Sequence, residues 1–278
     1  GSRWLPPRRR HPSQRGPCRR DPCSLFGRLR PALARRRPVA AVRTSPRHHF
    51  SRPDRRQQLM NTIVLGIDTS TAVSVGLARG SEVLVSLHYD DPRAHAEQLM
   101  PLIHRGCEEA GIALTDIAEV AIGVGPGPYT GLRVGVATGR VLAHLAGLTP
   151  HPVCSLDILA RQWAGVDGEF VVCTDARRHE LYWARYDASG HRLDGPNVTR
   201  PEDLPKDLPI GGPGCLVRGL TPTPGSPEHL DAGVLAASWQ AMPDVGLEPL
   251  YLRDPDATVP TARKATLTPT RLTLPGLR

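Results

Sequence analysis

The sequence lacks any apolar run of 18 or more residues, and no apolar stretch typical of a signal peptide precedes Met60. Its six cysteines are scattered, and no CxxC pair occurs. These absences argue against a membrane-spanning helix, a disulfide framework and a zinc knuckle. We therefore expect a cytoplasmic protein whose cysteines are small buried hydrophobic residues in a reducing compartment.

Several catalytic and metal-binding motifs are also missing. The sequence contains no HExxH or HxxxH pair, no GxSxG elbow and no Gly-Lys-Ser/Thr of a Walker loop. His95 and His104 share one predicted helix, but their spacing places them on opposite sides of it. The sequence therefore predicts no metal site.

Positive charge is concentrated at one end of the chain. Residues 1–59 hold 17 arginines and two acids, a net +15, which leaves −7 for residues 60–278 out of the total of +8. Nine prolines and the absence of an apolar period predict a disordered extension. A transit peptide and an RNA-binding arm are alternatives for it, and we favour sequence upstream of a native start at Met60. The basic pI therefore gives no evidence that the acidic body binds nucleic acid.

The body begins with a pattern of three strands joined by short turns. A helix, a strand and a second helix follow, so the predicted elements cover residues 63–67, 73–78, 82–87, 94–110, 120–124 and 130–145. This β-β-β-α-β-α order is typical of one half of an RNase-H-like or actin-like domain, which is an α/β fold. We expect this first lobe to span residues 60–155.

A second half begins near Pro152 and repeats part of this order. Its predicted elements are a helix at 156–163, strands at 170–174 and 180–186, and a last helix at 231–242. Residues 195–228 are rich in proline and glycine and receive no assignment. We expect a smaller second lobe at 156–261 and a frayed tail at 262–278.

Two turns carry residue types that suit contact with a phosphate group. Asp68, Thr69 and Ser70 follow the first strand, and a glycine-rich loop precedes the second helix of the first lobe. Glycines allow close backbone approach, Thr130 can cap the helix, and a helix N-terminus attracts anions. The candidate phosphate contacts are Asp68, Thr69, Ser70, Gly125, Gly127 and Thr130, with ordinary tight turns as the alternative.

A stripe of small residues runs along the helix that follows this loop. Gly131, Gly135, Gly139 and Ala143 recur every four residues, and each interior glycine costs up to about 1 kcal/mol relative to alanine. Close packing on the protein's own sheet and docking of a partner helix both account for such a stripe. We favour a mixture that includes a partner interface, to which Leu99 and Ile103 of the preceding helix also contribute.

Five sequence blocks occur together in a recognisable order. They are IDTST at 67–71, AHAEQLMPLI at 94–103, GPGPYTGLRVG at 125–135, DAR with ELYWA between 175 and 184, and EPLYLR at 248–253. Over residues 61–255 the chain therefore resembles the TsaB (YeaZ, Gcp-like) family. The resemblance implies an actin-like (ASKHA, RNase-H-like) fold of two lobes.

The resemblance also implies a function in making threonylcarbamoyladenosine (t6A) at position 37 of tRNA. Family members pair through the two helices of the first lobe with TsaD, the catalytic paralogue, and work with the ATPase TsaE. tRNA would be reached through the complex, a homodimer is the alternative for the chain alone, and ATP or ADP is a candidate ligand at the complex interface. On this basis we expect Gly135→Leu or Gly139→Leu to abolish pairing with TsaD and leave the fold mostly intact.

The chain departs from the catalytic paralogue at two places. The metal-binding HxxxH positions are occupied by Ser155 and Leu159, and Asp175-Ala176-Arg177 replaces a Gly-Gly phosphate turn. The resemblance therefore implies a non-catalytic scaffold subunit. The alternative is an actin-like small-molecule kinase or ATPase, for which Gly211–Gly214 is the candidate second phosphate turn.

Overall fold

The computed structural model describes residues 61–91, 94–163 and 165–253. The predictions for residues 1–59 and 262–278 lie outside the described residues. The first sheet has the order β3-β2-β1-β4-β5, in which β4 and β5 run parallel to β1 and β2 is antiparallel to both of its neighbours, β1 and β3. Its strands are β1 (Ile63–Asp68), β2 (Val73–Arg79), β3 (Glu82–Tyr89), β4 (Ile117–Gly123) and β5 (His151–Val153).

The second sheet has four strands in the order β8-β7-β6-β9. An antiparallel meander leads from β6 to β8, and the short β9 pairs parallel with β6. The strands are β6 (Phe170–Asp175), β7 (Leu181–Tyr186), β8 (Arg192–Thr199) and β9 (Ile210–Gly211).

Five α-helices in the described residues pack on these sheets. They are α1 (His95–Ala110), α2 (Tyr129–Ala146), α3 (Ser155–Gln162), α4 (Pro213–Val217) and α5 (Ala232–Ser238). Helices α1 and α2 end at Gly111 and Gly147, which take the left-handed conformation that glycine adopts without strain. The helices that the sequence predicts at 94–110 and 130–145 are therefore confirmed, and their ends differ from the prediction by no more than a residue or two.

The side chains of each sheet alternate between two apolar layers. In β1, Ile63, Leu65 and Ile67 pack with α1 and α2, whereas Val64 faces α3 and α5 on the other side. In the second sheet, Phe170 and Val172 face the same α3 and α5 layer. Strands with apolar residues on both faces read as continuous hydrophobic runs, which is why IVLGI and FVVCT are so apolar.

Helix α5 returns the chain from the second sheet to the first. It packs on β1, β2 and β3. The Asp231 carboxylate accepts a hydrogen bond from the Gly233 N–H at 2.6 Å, and the Ala232 N–H donates to Ser74 Oγ at 3.0 Å. The helix is thus capped and fixed to β2 at its N-terminus.

Most strand and helix predictions for the described residues agree with the structure, and the mixed α/β class with two helix-flanked sheets is confirmed. The segment 195–228, which received no assignment, contributes the end of β8, β9 and α4. The lobe boundaries at 155 and 261 stay predictions. Among the described residues, no helix combines the length and apolar character that crossing a bilayer requires.

Candidate functional site

The candidate site is centred on Asp68, where β1 ends. Its side chain is fully buried, and Oδ1 accepts hydrogen bonds from the Ser70 N–H at 2.7 Å and Ser70 Oγ at 2.6 Å. Oδ2 accepts a hydrogen bond at 2.5 Å from the hydroxyl of Ser155, the first residue of α3. Ser155 Oγ in turn accepts from the Gly125 N–H at 3.0 Å. The carboxylate therefore joins the end of β1 to the start of α3 and to the glycine-rich loop.

Burial raises the pKa of Asp68 above its ordinary value of 3.8, because the charged carboxylate loses its hydration. The hydrogen bonds from Ser155 and Ser70 oppose this shift, as does the nearby imidazole of His95. The net direction is upward, so the folded chain holds a proton on Asp68 more tightly than the unfolded chain does.

The glycine-rich loop and the start of α2 lie directly against the turn at Thr69 and Ser70. A Cβ atom at Gly127 would come within 2.7 Å of the Ser70 carbonyl oxygen, and one at Gly131 within 2.6 Å of the Thr69 carbonyl oxygen. The Thr69 hydroxyl donates to the Gly131 carbonyl oxygen at 2.8 Å. These glycines are therefore needed for contact between two segments of the same chain.

The structure brings five of the six candidate phosphate contacts together. Asp68, Thr69, Ser70, Gly125 and Gly127 are all buried in this cluster. The sixth, Thr130, is exposed on the first turn of α2, and the helix begins at Tyr129 after Pro128 with no side-chain cap. The prediction that Thr130 caps the helix is wrong, because it lies inside the first turn. Phosphate contact at these residues stays a prediction.

The small-residue stripe of α2 faces the protein's own first sheet. A Cβ atom at Gly135 would overlap Thr69 Oγ1, and one at Gly139 would lie 2.5 Å from Ile122 Cδ1. Ala143, Leu99 and Ile103 are buried in the same apolar layer. Internal packing therefore accounts for the stripe, which corrects the expectation that these six residues themselves present a partner surface. A leucine at Gly135 or Gly139 would disturb the fold, contrary to the expectation from the sequence.

The two positions aligned with the HxxxH pair lie in α3. Ser155 bonds Asp68, and Leu159 is fully buried in the apolar layer between the sheets. The candidate second phosphate turn is packed as well. A Cβ atom at Gly212 would overlap the Cys173 carbonyl oxygen, and one at Gly214 would lie 2.8 Å from the Thr174 backbone. Within the described ranges, no group of three His, Cys, Asp or Glu side chains lies close enough to hold a metal ion.

The C-terminal EPLYLR segment joins the two halves, and sequence reasoning missed this. The Leu250 N–H donates to the carbonyl oxygen of Val124, the residue after β4, at 2.8 Å. The Tyr251 ring packs on Tyr129 with centroids 4.9 Å apart, while Arg253 pairs with Glu180 beside the second sheet. The one aromatic residue of the segment, Tyr251, was the available signal, but nothing in the sequence indicates what it contacts.

Replacing Asp68 with asparagine tests the state of the buried carboxyl. Asparagine can keep the acceptor for Ser70 and carries no charge to desolvate. A raised folded pKa contributes stability at low pH that is lost as the pH rises through that pKa. The free energy of unfolding of Asp68→Asn, measured with urea from about pH 4 to about pH 8, should therefore increase relative to the parent chain as the pH rises.

Asp157 also has its pKa raised by burial, but it is present in both chains, so its contribution cancels in this difference. A difference that stays constant or decreases with pH would contradict the upward shift at Asp68.

Comparison with known proteins identifies a matching family model and several related proteins. Residues 90–210 match the family model described as TsaD: tRNA N6-adenosine threonylcarbamoyltransferase. The chain is 39% identical over 212 residues to an uncharacterized protein of Mycobacterium tuberculosis. The alignment covers 70% of this chain and 93% of that protein. It is 32% identical over 208 residues to the tRNA threonylcarbamoyladenosine biosynthesis protein TsaB of Escherichia coli, covering 72% and 82%.

Two further relatives extend this comparison. A crystal structure from Pseudomonas aeruginosa, described as an uncharacterized protein with similarity to peptidase YEAZ, is 28% identical with a TM-score of 0.56. That match covers 69% of this chain and all of the other. A longer relative from Mycobacterium leprae is 39% identical, and the match spans 57% of its length.

Proposed function

The chain belongs to the TsaB (YeaZ) family, and from this premise we propose that it is a non-catalytic partner subunit in the biosynthesis of threonylcarbamoyladenosine in tRNA. In this proposal it binds and activates TsaD in the cytoplasm, together with TsaE. The E. coli relative is named for tRNA threonylcarbamoyladenosine biosynthesis, which supports this pathway. The match of residues 90–210 to the TsaD family model supports kinship with the catalytic subunit.

The Asp68 cluster supports the absence of independent catalysis. The carboxyl is fully buried, and Ser70 and Ser155 donate hydrogen bonds to its two oxygens, so neither oxygen is directed to solvent, where a metal–nucleotide complex would bind. Leu159 has no atom that can ligate a metal ion. In this proposal the partner carries out the chemistry at adenosine 37.

The outward face of α2 carries the proposal of a partner interface. Ala137, Val141 and Leu145 are spaced four residues apart and therefore lie in one row on the helix surface. Val141 is 56% exposed and Leu145 is 78% exposed. Large apolar side chains this exposed on one helix row indicate a surface that becomes covered by a partner.

The charges beside this row suit a partner with the same fold. Arg133 and Arg140 are exposed on α2, whereas Glu108 and Glu109 are exposed on the neighbouring α1. A related subunit with the same charge pattern, packed with its two helices antiparallel to these, would place its acidic helix against the basic α2 and its basic helix against the acidic α1. Such a partner would bury Val141 and Leu145, each worth about 1.5–3 kcal/mol of transfer free energy.

The double variant Val141→Asp with Leu145→Asp tests this interface. Both side chains are exposed in the single chain, so the variant should fold normally, but two carboxylates would have to be buried against the partner. We expect binding to TsaD from the same organism to weaken by at least about 100-fold, which corresponds to a loss of about 1.4 kcal/mol or more for each of the two residues. Isothermal titration measures the binding, and t6A formation in the presence of TsaE, ATP and threonylcarbamoyl-adenylate synthase measures the activity.

Leu193→Asp is the matched control, because Leu193 is an exposed leucine on β8, away from both helices. It should leave binding and t6A formation unchanged. Normal TsaD binding by the double variant would place the interface elsewhere. Modification that proceeds equally well without this chain would remove the partner-subunit proposal.

A further inference from the structure

Two aromatic rings are exposed together at the N-terminal end of α2. Tyr129, the first residue of the helix, is 44% exposed, and Tyr251 of the C-terminal EPLYLR segment is 40% exposed. Their ring centroids lie 4.9 Å apart, with the ring planes tilted by 32°. Arg133 lies over the Tyr129 ring, 5.1 Å from its centroid, and its Nη1 atom donates to the Tyr129 hydroxyl at 3.1 Å. These three side chains, from two separate segments, form what we call the tyrosine cluster.

The tyrosine cluster continues the exposed row of α2. Five exposed residues follow one another at a spacing of four along this helix, namely Tyr129, Arg133, Ala137, Val141 and Leu145. Rows with this spacing are the ridges by which helices pack into the grooves of other helices. At about 1.5 Å per residue, the ridge is about 24 Å long. Its middle residue is small, so a partner helix can cross close to Ala137 and contact both ends.

The residue types of the tyrosine cluster suit a protein partner. Tyrosine and arginine are enriched among the residues that dominate the binding energy of protein interfaces. A tyrosine also offers a large contact area while it has few rotatable bonds to immobilise. Residues 60–278 carry a net charge of −7, which opposes binding of an RNA backbone. The cluster therefore favours a protein surface over a single-stranded RNA as its occupant.

The segment that supplies Tyr251 is anchored on both sides of the ring. Leu250 packs against both apolar layers, and its N–H donates to the Val124 carbonyl oxygen at 2.8 Å. Two residues beyond Leu250 and Tyr251, Arg253 pairs with Glu180 at the start of β7. The Tyr251 ring is thus held against α2 before any partner binds, which lowers the entropic cost of binding.

We propose that the partner interface of α2 includes Tyr251, so that a segment of the second half completes a surface that the first half begins. The occupant is a helix of the related subunit, with an acidic residue opposite Arg133. Because the proposed function supplies this partner, the assignment rests on that function. It goes beyond it by making the affinity for TsaD depend on how the EPLYLR segment packs against Val124 and Glu180, neither of which lies on the two interface helices.

Replacing Tyr251 with alanine in the full chain tests this assignment. The ring is exposed, so the variant should keep the fold, as checked by circular dichroism, while binding to TsaD from the same organism should weaken by at least about tenfold. Tyr251→Phe keeps the ring and should keep most of the affinity. Tyr89→Ala is the matched control, because Tyr89 is a 38% exposed tyrosine on the edge strand β3, whereas α2 packs on β1 and β4. It should leave the affinity unchanged.

Hydrogen exchange reports on the segment without any substitution. A partner that covers Tyr251 suppresses opening of the hydrogen bond from the Leu250 N–H to Val124. Peptides that cover 248–253 should therefore exchange more slowly in the complex with TsaD than in the chain alone, as measured by mass spectrometry. Equal exchange in the two states would contradict the assignment.

The double variant Val141→Asp with Leu145→Asp is measured in the same series, so that the two proposals fail in different ways. Weak binding by that variant with parent-like binding by Tyr251→Ala would overturn the role of Tyr251 and leave the interface on α2. Parent-like binding by both would overturn both proposals. A labelled single-stranded RNA is titrated with the same proteins. If Tyr251→Ala weakens RNA binding and leaves TsaD binding unchanged, the ring stacks on a base and the assignment is wrong.

Discussion

Leucine in place of Gly135 is expected to destabilise the chain by about 3 kcal/mol or more. The Cβ atom alone would overlap Thr69 Oγ1, and Thr69 is fully buried between β1 and α2. Thr69 could move only by breaking its hydrogen bond to the Gly131 carbonyl oxygen and by displacing the adjacent Asp68. The gain in helix propensity over glycine, about 1 kcal/mol, does not offset this.

The matched control lies on the same helix. Ala137→Leu makes a side chain of the same size at an exposed position of α2 and should change the free energy of unfolding by no more than about 0.5 kcal/mol. Urea denaturation of the chain alone, followed by circular dichroism, measures both variants. Equal stability of Gly135→Leu and the parent chain would show that α2 does not pack on Thr69 as described.

Valine in place of Gly76 should destabilise the chain by about 4 kcal/mol, although valine favours strands. Gly76 pairs with Gly66 across β1 and β2, and together they form a flat surface beneath α5. A Cβ atom at Gly76 would overlap the backbone of Ala232 and Gly233, and one at Gly66 would overlap the Ala232 carbonyl oxygen. Backbone atoms cannot rotate away as a side chain can, so the whole helix would have to lift from the sheet.

Alanine in place of Gly106, in the same lobe, is expected to stabilise the chain instead. Its Cβ atom would lie 3.5 Å from Leu77 Cδ1 and 3.7 Å from Leu87 Cδ1, which are ordinary van der Waals contacts. Because Gly106 is inside α1, alanine should stabilise the chain by about 0.5–1 kcal/mol. Urea midpoints of both variants measure this contrast. A Gly76→Val chain as stable as Gly106→Ala would contradict the packing of α5 on the first sheet.

The sequence carried enough information to predict the elements of the first sheet. A continuous apolar run marks β1, the alternation of Val73 to Ala78 marks β2, and the turn Arg79-Gly80-Ser81 separates β2 from β3. Gly111 and Gly147 mark the ends of α1 and α2. These signals are local, since propensity, period and capping act within a few residues. The second sheet was found only in part, because β8 contains Gly195 and Pro196, which weaken a strand pattern.

The candidate site was predicted less completely, because its contacts are long-range. The turn at Asp68 and the glycine loop were identified, but the Ser155 hydroxyl that bonds Asp68 comes from α3, far along the chain. The small-residue stripe predicts close packing but does not say against which surface. Only the fold shows that Thr69 and Ile122 of the same chain lie there.

The return of α5 to the first sheet has a consequence during synthesis on the ribosome. The five strands of that sheet are complete at Val153, but the helix that covers the face of Val64 and Ala78 begins at Ala232. Ribosomes add about 5–20 residues per second, so a nascent chain exposes this apolar face for several seconds before α5 is made. The first half therefore cannot finish folding ahead of the second. A chain from a ribosome stalled before Ala232 would keep this apolar face exposed, and it would aggregate or be bound by chaperones.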